Sequence, residues 1–281
     1  MRLDQLGVQV HCLRHRIAEA GLPAVLDWVA GLGLTALELV SFPGCRGNRW
    51  GDFGAATELA PERIASALQA AGLHCPSVMV SEAELAPDRL RSTLAWVGAL
   101  GCRRIVLTAL HPVNSSGHGP SFIQRVHDHA QRCRSEGFAF MLHTQPELWA
   151  PGVGRRAAET LLMELDLSLL RLEYDPAGAI QFGADPAGYL RRRPDAFYAV
   201  HLRDGHRPFE PAAYLPAEPV GRGQVNWPEL LRASERSAVE WYFLEMEVVD
   251  PNLTQSALQI SLSYLRQSGL VGERPYCADP A

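Results

Sequence analysis

The residues of this chain best suited to chemistry stand at the ends of four apolar runs. One run ends M-L-H-T-Q-P-E, with His143, Gln145 and Glu147. The next ends R-L-E-Y-D-P, with Glu173 and Asp175. The third ends A-V-H-L-R-D-G, with His201 and Asp204, and the fourth ends F-L-E-M-E, with Glu245 and Glu247. Polar groups placed in apolar strands are costly unless they are paired or bind something. A spacing of two along a strand sets Glu173 and Asp175 on one face, and likewise Glu245 and Glu247. Two imidazoles with two carboxylates suit Mn²⁺, Zn²⁺, Co²⁺ or Fe²⁺ better than the all-oxygen shell that Ca²⁺ takes. The alternative at this point is that each is a separate polar residue, satisfied by its own hydrogen bonds or salt bridges.

Such residues share a site only if their strands run side by side. Eight strand candidates are legible: Leu6 to Val10, Ala36 to Val40, Pro76 to Val80, Arg104 to Ala109, Ala139 to Thr144, Leu170 to Asp175, Tyr198 to Leu202 and Trp241 to Met246. Most are apolar on both faces, as parallel strands under helices are. Between them lie helical signals. Residues 61–71 run to a stop at Gly72, Asp185-Pro186 and Asn226 with Pro228 read as helix starts, and a last helix spans about Leu253 to Gln267. One βα unit about every 30 residues, eight times over, argues for a single (β/α)₈ barrel with outer helices. No Gly-rich dinucleotide fingerprint follows the first strand, which weakens an open doubly wound sheet. The expected layout is a barrel over residues 1–272 and a tail over 273–281. Long connections at Ser41 to Ala55 and Gly205 to Gly223, and a third at Ser115 to Gly119, fall where barrels place binding loops.

Composition removes several classes of function. The chain has 281 residues, enough for one such barrel. It contains no lysine, so its 26 basic residues are all arginine. Schiff-base aldolases, lysine-anchored pyridoxal enzymes and Walker-type phosphate loops are thereby excluded. A net charge of -5 gives no electrostatic reason to expect nucleic acid or an anionic membrane as partner. The six cysteines, at 12, 45, 75, 102, 133 and 277, show no zinc spacing and read as reduced thiols in a cytoplasmic protein. No apolar run reaches the ~20 residues of a membrane helix. His111, His118, His127, His129 and His206 read as surface or loop residues.

Five segments, in order, are similar to those of the sugar phosphate isomerase/epimerase family, the xylose isomerase-like barrels. L-G-V-Q-V-H-C-L-R at the start resembles that family's L-G-V-Q-L-Y-T-L-R, and R-L-E-Y-D its strand-six ending. H-L-R-D resembles H-V-K-D, P-V-G-R-G-Q-V-N-W resembles V-G-x-G-x-I-D-W, and V-E-W-Y-F-L-E-M-E resembles V-E-W-Y-I-V-E-x-D. The resemblance implies a divalent metal ion held by Asp175, His201 and Glu245. The strand-five ligand would be His143, where the family usually has Glu, with Gln145 or Glu147 as substitutes. Met79 stands about where the third strand often ends in His, and Arg203 replaces the usual Lys.

The implied activity is isomerisation or epimerisation of a sugar or sugar-like keto/hydroxy substrate. It proceeds by abstraction of a proton next to a carbonyl, which is enediolate chemistry. Glu245 would be ligand and base, and Glu173 or Glu247 a second acid/base. His11, Arg14, Glu38, Gln145 and Arg203 would orient the substrate, and Arg222 would meet a phosphate. Two other readings stay open. One is a lyase or dehydratase acting on a keto-inositol or 3-keto-sugar at the same site, and the other is a non-catalytic barrel that binds a small ligand or partner. An apurinic endonuclease of the same fold would need more metal ligands and a basic groove. The expected partner is a small sugar-like molecule, with no nucleic acid and no membrane, and a homo-oligomer is left open.

Overall fold

The structure is a computed structural model, and it describes residues 1–41, 60–108, 120–144, 163–206, 218–246 and 253–272. Eight parallel strands close into a barrel in chain order. They are β1 (Leu6–Gln9), β2 (Ala36–Ser41), β3 (Val78–Val80), β4 (Arg104–Leu107), β5 (Ala139–His143), β6 (Leu170–Tyr174), β7 (Phe197–Leu202) and β8 (Trp241–Leu244). Closure is direct: Gly7 of β1 pairs with Ala36 of β2 on one side and Phe243 of β8 on the other. A side chain at position 7 would not fit, because its Cβ would lie 2.6 Å from the Ala36 carbonyl oxygen. All eight expected strands are present, with ends that differ by a few residues. The barrel and its covering helices share one continuous apolar core.

Among the described residues the outer helices are α1 (Arg14–Ala20), α2 (Leu22–Gly31), α3 (Pro61–Ala70), α4 (Leu90–Ala99), α5 (Pro120–Ser135), α6 (Pro176–Gln181), α7 (Pro186–Arg192), α8 (Trp227–Ser234) and α9 (Thr254–Gln267). Their starts follow the expected capping chemistry. The Asp185 side chain accepts the Gly188 N–H at the start of α7, and Asn226 accepts the Glu229 N–H at the start of α8. None of the described helices is long and apolar enough to cross a membrane. Gln145, Glu147 and Glu247 lie outside the described residues. So do most of the two long connections, the 115–119 loop, His111, His118 and the 273–281 tail.

Candidate metal centre

Strand order alone brings β5, β6, β7 and β8 side by side, so the four predicted polar ends become neighbours. His143 and Glu173 are paired in register across β5 and β6. His201 is fully buried. Its Nδ1 lies 2.7 Å from Glu245 Oε2, and its Nε2 lies 3.0 Å from Glu38 Oε2 and 3.3 Å from Glu173 Oε2. Because β2 does not neighbour β7, the Glu38–His201 contact can only cross the barrel interior. Ser77 donates a 2.6 Å hydrogen bond to the other Glu38 oxygen. The His143 ring lies 4.8 Å, centroid to centroid, from that of His201.

Asp175 is held by the chain that follows it. It is the N-cap of α6, and its Oδ1 accepts the N–H groups of Ala177 and Gly178 at 3.0 and 3.3 Å. Its own N–H donates to Thr144 Oγ1 at 3.0 Å, which ties the end of β6 to the end of β5. One carboxyl oxygen is thus spent on the helix. The other, Oδ2, lies 2.8 Å from an Arg203 nitrogen, as an ion pair without hydrogen-bond alignment.

The electrostatics follow from burial and these neighbours. Burial, and then the nearby His201, lower the His143 pKa to about 4, so its imidazole is neutral near pH 7 with a free lone pair. Burial opposes a charge on His201, yet the Glu173 and Glu245 carboxyl groups overcome it and raise its pKa. Burial works against ionisation of Glu245 too, but His201 outweighs it and its pKa is lowered. Burial and the adjacent Glu173 raise the Glu38 pKa to about 8.

Whether these residues fit a metal ion can be judged from what they lack. Both ring nitrogens of His143 and both carboxyl oxygens of Glu173 are buried without a hydrogen-bond partner. Such atoms are expensive to leave unsatisfied, and although Glu173 Oε2 lies 3.3 Å from His201 Nε2, a divalent cation is a partner that an imidazole nitrogen and carboxyl oxygens can share. Two triads place one ligand atom from each member within 4.8 Å of the others: His143, Glu173 and His201, and His143, Asp175 and Glu245. The donor set, two imidazoles among carboxyl groups, fits a borderline divalent ion. The carboxyl groups on His201 Nε2 also resemble the partners that orient metal-bound imidazoles.

The remaining expected residues are placed as follows. Arg203 joins the cluster through Asp175. Glu38 also joins it, but from below: it is fully buried and bonded to Ser77 and His201. His11 is buried after β1, its N–H donating to Gln9 Oε1 at 2.6 Å. Arg14 reaches back to the His11 carbonyl at 2.8 Å. Arg222 is exposed in the turn after Gly221. Met79, at the strand-three position noted above, has its sulfur 3.1 Å from Gln9 Nε2. Asp204, grouped with the rim ligands in the sequence, instead fastens a loop. Its carboxyl group accepts from the N–H groups of Gly205, Gly221 and Val225 and from Trp227 Nε1. His129 is not a surface residue: it is buried, with Nε2 3.4 Å from Glu82 Oε1. Ser77 and Thr144 were not singled out in the sequence. Ser77 stands two residues before Met79, so the period of two along a strand could have placed it on the inner face.

A family model described as xylose isomerase-like TIM barrel matches residues 26–267. The chain belongs to that family. Among solved structures, a sugar phosphate isomerase/epimerase from Parabacteroides distasonis superposes with a TM-score of 0.76 at 18% identity, covering 93% of this chain and 95% of that one. The probable 3-DHS dehydratase AsbF from Bacillus anthracis gives 0.70 at 15% identity, covering 95% and 99%. The IOLI protein with a binding zinc atom gives 0.70 at 11% identity, covering 93% and 97%. At these identities the likeness shows the shared fold. No curated protein matches the chain.

Proposed function

We propose that this xylose isomerase-like barrel is a divalent-metal-dependent isomerase or epimerase of a small sugar or sugar-like keto/hydroxy compound. The carrying observation is His143. It is a buried, neutral imidazole with both nitrogens unpartnered, set among Asp175, Glu245, Glu173 and His201. His143, Asp175, His201 and Glu245 would hold the ion, which is Mn, Zn, Co or Fe by the softness of the donors. A bound ion of this kind supplies Lewis-acid polarisation of a carbonyl and its neighbouring hydroxyl.

The chain's own groups supply the rest. Glu245 keeps its carboxylate form through His201 and can accept a proton from the carbon next to the carbonyl. Glu173, beneath it, is a second carboxyl group for proton movement. Arg203, anchored on Asp175, would orient a substrate oxygen. A dehydratase reading of the same site is favoured by the likeness to the probable 3-DHS dehydratase. Both reactions begin with removal of a proton beside a carbonyl, and a leaving hydroxyl group on the substrate decides between them. The proposed partner is therefore a small molecule.

The test is metal content by mass spectrometry of wild type beside a His143→Ala, Glu245→Gln double variant. The expected result is about one equivalent of Mn, Zn, Co or Fe in wild type and none in the variant, whose circular dichroism is unchanged. Incorporation of solvent deuterium into keto-sugars then identifies the substrate. Absence of metal from wild type after reconstitution would sink the metal reading and favour a non-catalytic barrel.

A further inference from the structure

At the opposite end of the barrel from this cluster, two thiols face each other. Cys75 lies just before β3 and Cys102 just before β4. Val78 pairs with Ile105 in parallel, and the same register carried back three residues along each strand sets Cys75 beside Cys102. Each thiol is the leading influence on the other's proton affinity, and both are free thiols. Each is also held by the strand it precedes. Cys75 Sγ is 3.5 Å from the Ser77 carbonyl oxygen, and Cys102 Sγ is 3.5 Å from that of Arg104. Neighbouring strands run about 4.8 Å apart, which lies within the usual Cα separation of a disulfide.

The two sulfurs are not equivalent. Cys102 accepts the Arg104 N–H at 3.4 Å. The neighbouring Cys75 lowers the Cys102 pKa against the opposing effect of burial, and the Arg104 N–H and guanidinium act in the lowering direction. This is the electropositive setting in which a thiolate forms. Cys75 is half-buried at the amino end of the barrel while Cys102 is buried, so a small reagent approaches the pair from the Cys75 side. The other described thiols lack this arrangement: burial pushes both Cys12 and Cys133 up to about 12.

We propose that Cys75 and Cys102 form an intramolecular redox pair that a peroxide converts to a disulfide. The Cys102 thiolate attacks one peroxide oxygen and the O–O bond breaks, which leaves a sulfenic acid on Cys102 and releases hydroxide, which takes up the proton that Cys102 gave to solvent and becomes water. The Cys75 sulfur then attacks the Cys102 sulfur and displaces hydroxide, which takes the Cys75 proton and leaves as a second water. Two thiols lose two electrons and one peroxide gains them. The product staples β3 to β4 at the end away from His143 and His201, so the outcome does not depend on the metal reading.

The experiment treats the full-length protein with dilute hydrogen peroxide, alkylates the remaining thiols and maps tryptic peptides by mass spectrometry. Cleavage after Arg89, Arg91 and Arg103 leaves Cys75 and Cys102 on separate peptides. The expected result is a cross-linked pair of those peptides, lighter than their sum by two hydrogens and separated again by a thiol reductant. The cross-link is absent from Cys75→Ser and Cys102→Ser but kept in Cys133→Ser. Sulfinic acid on either residue without a cross-link would overturn the proposal. So would full alkylation of both after peroxide, or a cross-link to another cysteine in their place. The wild-type map decides the matter even if a serine variant fails to fold.

Discussion

Replacing Asp204 should loosen the rim loop that follows β7 while leaving the barrel strands paired. The Asp204 side chain is 1% exposed and accepts four hydrogen bonds, from Gly205 N at 2.9 Å, Gly221 N at 2.9 Å, Val225 N at 3.1 Å and Trp227 Nε1 at 2.8 Å. Gly221 sits at φ 87°, a conformation that favours glycine, and the Tyr264 ring occupies the place its Cβ would take. The described ends of this connection are therefore tied to one carboxyl group. A buried donor left without its acceptor costs about 1–3 kcal/mol. Asp204→Ala strands four donors, so even at the low end of that range the loss is about 4 kcal/mol, a large share of the roughly 5–15 kcal/mol that holds a typical protein folded. Asp204→Asn keeps one acceptor oxygen but turns an NH₂ toward two of the donors. Its loss should be about half as large, on the order of 2 kcal/mol.

Two measurements read this. Urea unfolding followed by circular dichroism gives the midpoint and slope. Limited trypsin digestion gives local opening, because Arg222 lies exposed within the loop. The expected order of midpoints is wild type, Asp204→Asn, Asp204→Ala, with cleavage after Arg222 accelerating in the same order. An Asp204→Ala midpoint within about 1 kcal/mol of wild type at equal slope, with Arg222 cleaved no faster, would refute the reasoning.

Two further predictions use other parts of the structure. Glu38→Ala removes the acceptor that meets both His201 Nε2 and Ser77. Metal affinity, measured by competition with a chromophoric chelator, should fall by about 10–100-fold, with Glu38→Gln in between because it keeps an acceptor oxygen; equal affinity in all three proteins would remove Glu38 from a positioning role. Burial raises the Tyr242 pKa from an ordinary 10 to about 12, and its hydroxyl is 2.7 Å from Ser234 Oγ. The folded state therefore holds this proton more tightly than the unfolded state, a stabilisation fully present below pH 10 and lost as pH rises toward about 12. It amounts to about 3 kcal/mol. The urea midpoint of wild type should fall more steeply across that interval than the midpoint of Tyr242→Phe, and parallel curves would show that this proton does not matter.

The barrel was legible in the sequence because closure imposes a regular rhythm: runs apolar on both faces, a helix after each, and no fingerprint for an open sheet. The ends of β5 to β8 were legible for the same reason, since parallel neighbours bring like ends together and a lone His or Glu in an apolar run stands out. What lay across the barrel was not legible. Glu38 looked like a rim residue facing substrate, whereas it meets His201 from a strand that is not its neighbour. Contacts of that kind depend on how the barrel closes and on how deep each side chain sits, and neither is encoded in local spacing. Asp204 was opaque for a different reason. Most of its partners are N–H groups, which every residue but proline carries, so nothing in the letters marks the turn at Gly221 and Val225 as its mate.

Glu173 and Asp175 show most closely where spacing stops being informative. Two apart on one strand, they should present the same face, and both do reach His143, each within a different triad. Yet β6 ends at Tyr174, and its register slips between Leu172 and Glu173. Glu173 stays in the barrel, beside the Nε2 of His201. Asp175 has already left the ladder to start α6, and that helix fixes one of its oxygens and leaves the other beside Arg203. The alternation of the strand delivers both carboxyl groups to the cluster, and the helix start gives them different work. A residue that both caps a helix and faces a metal site is oriented by backbone N–H groups. Replacing it with Glu, one methylene longer, would keep the charge and lose the aim.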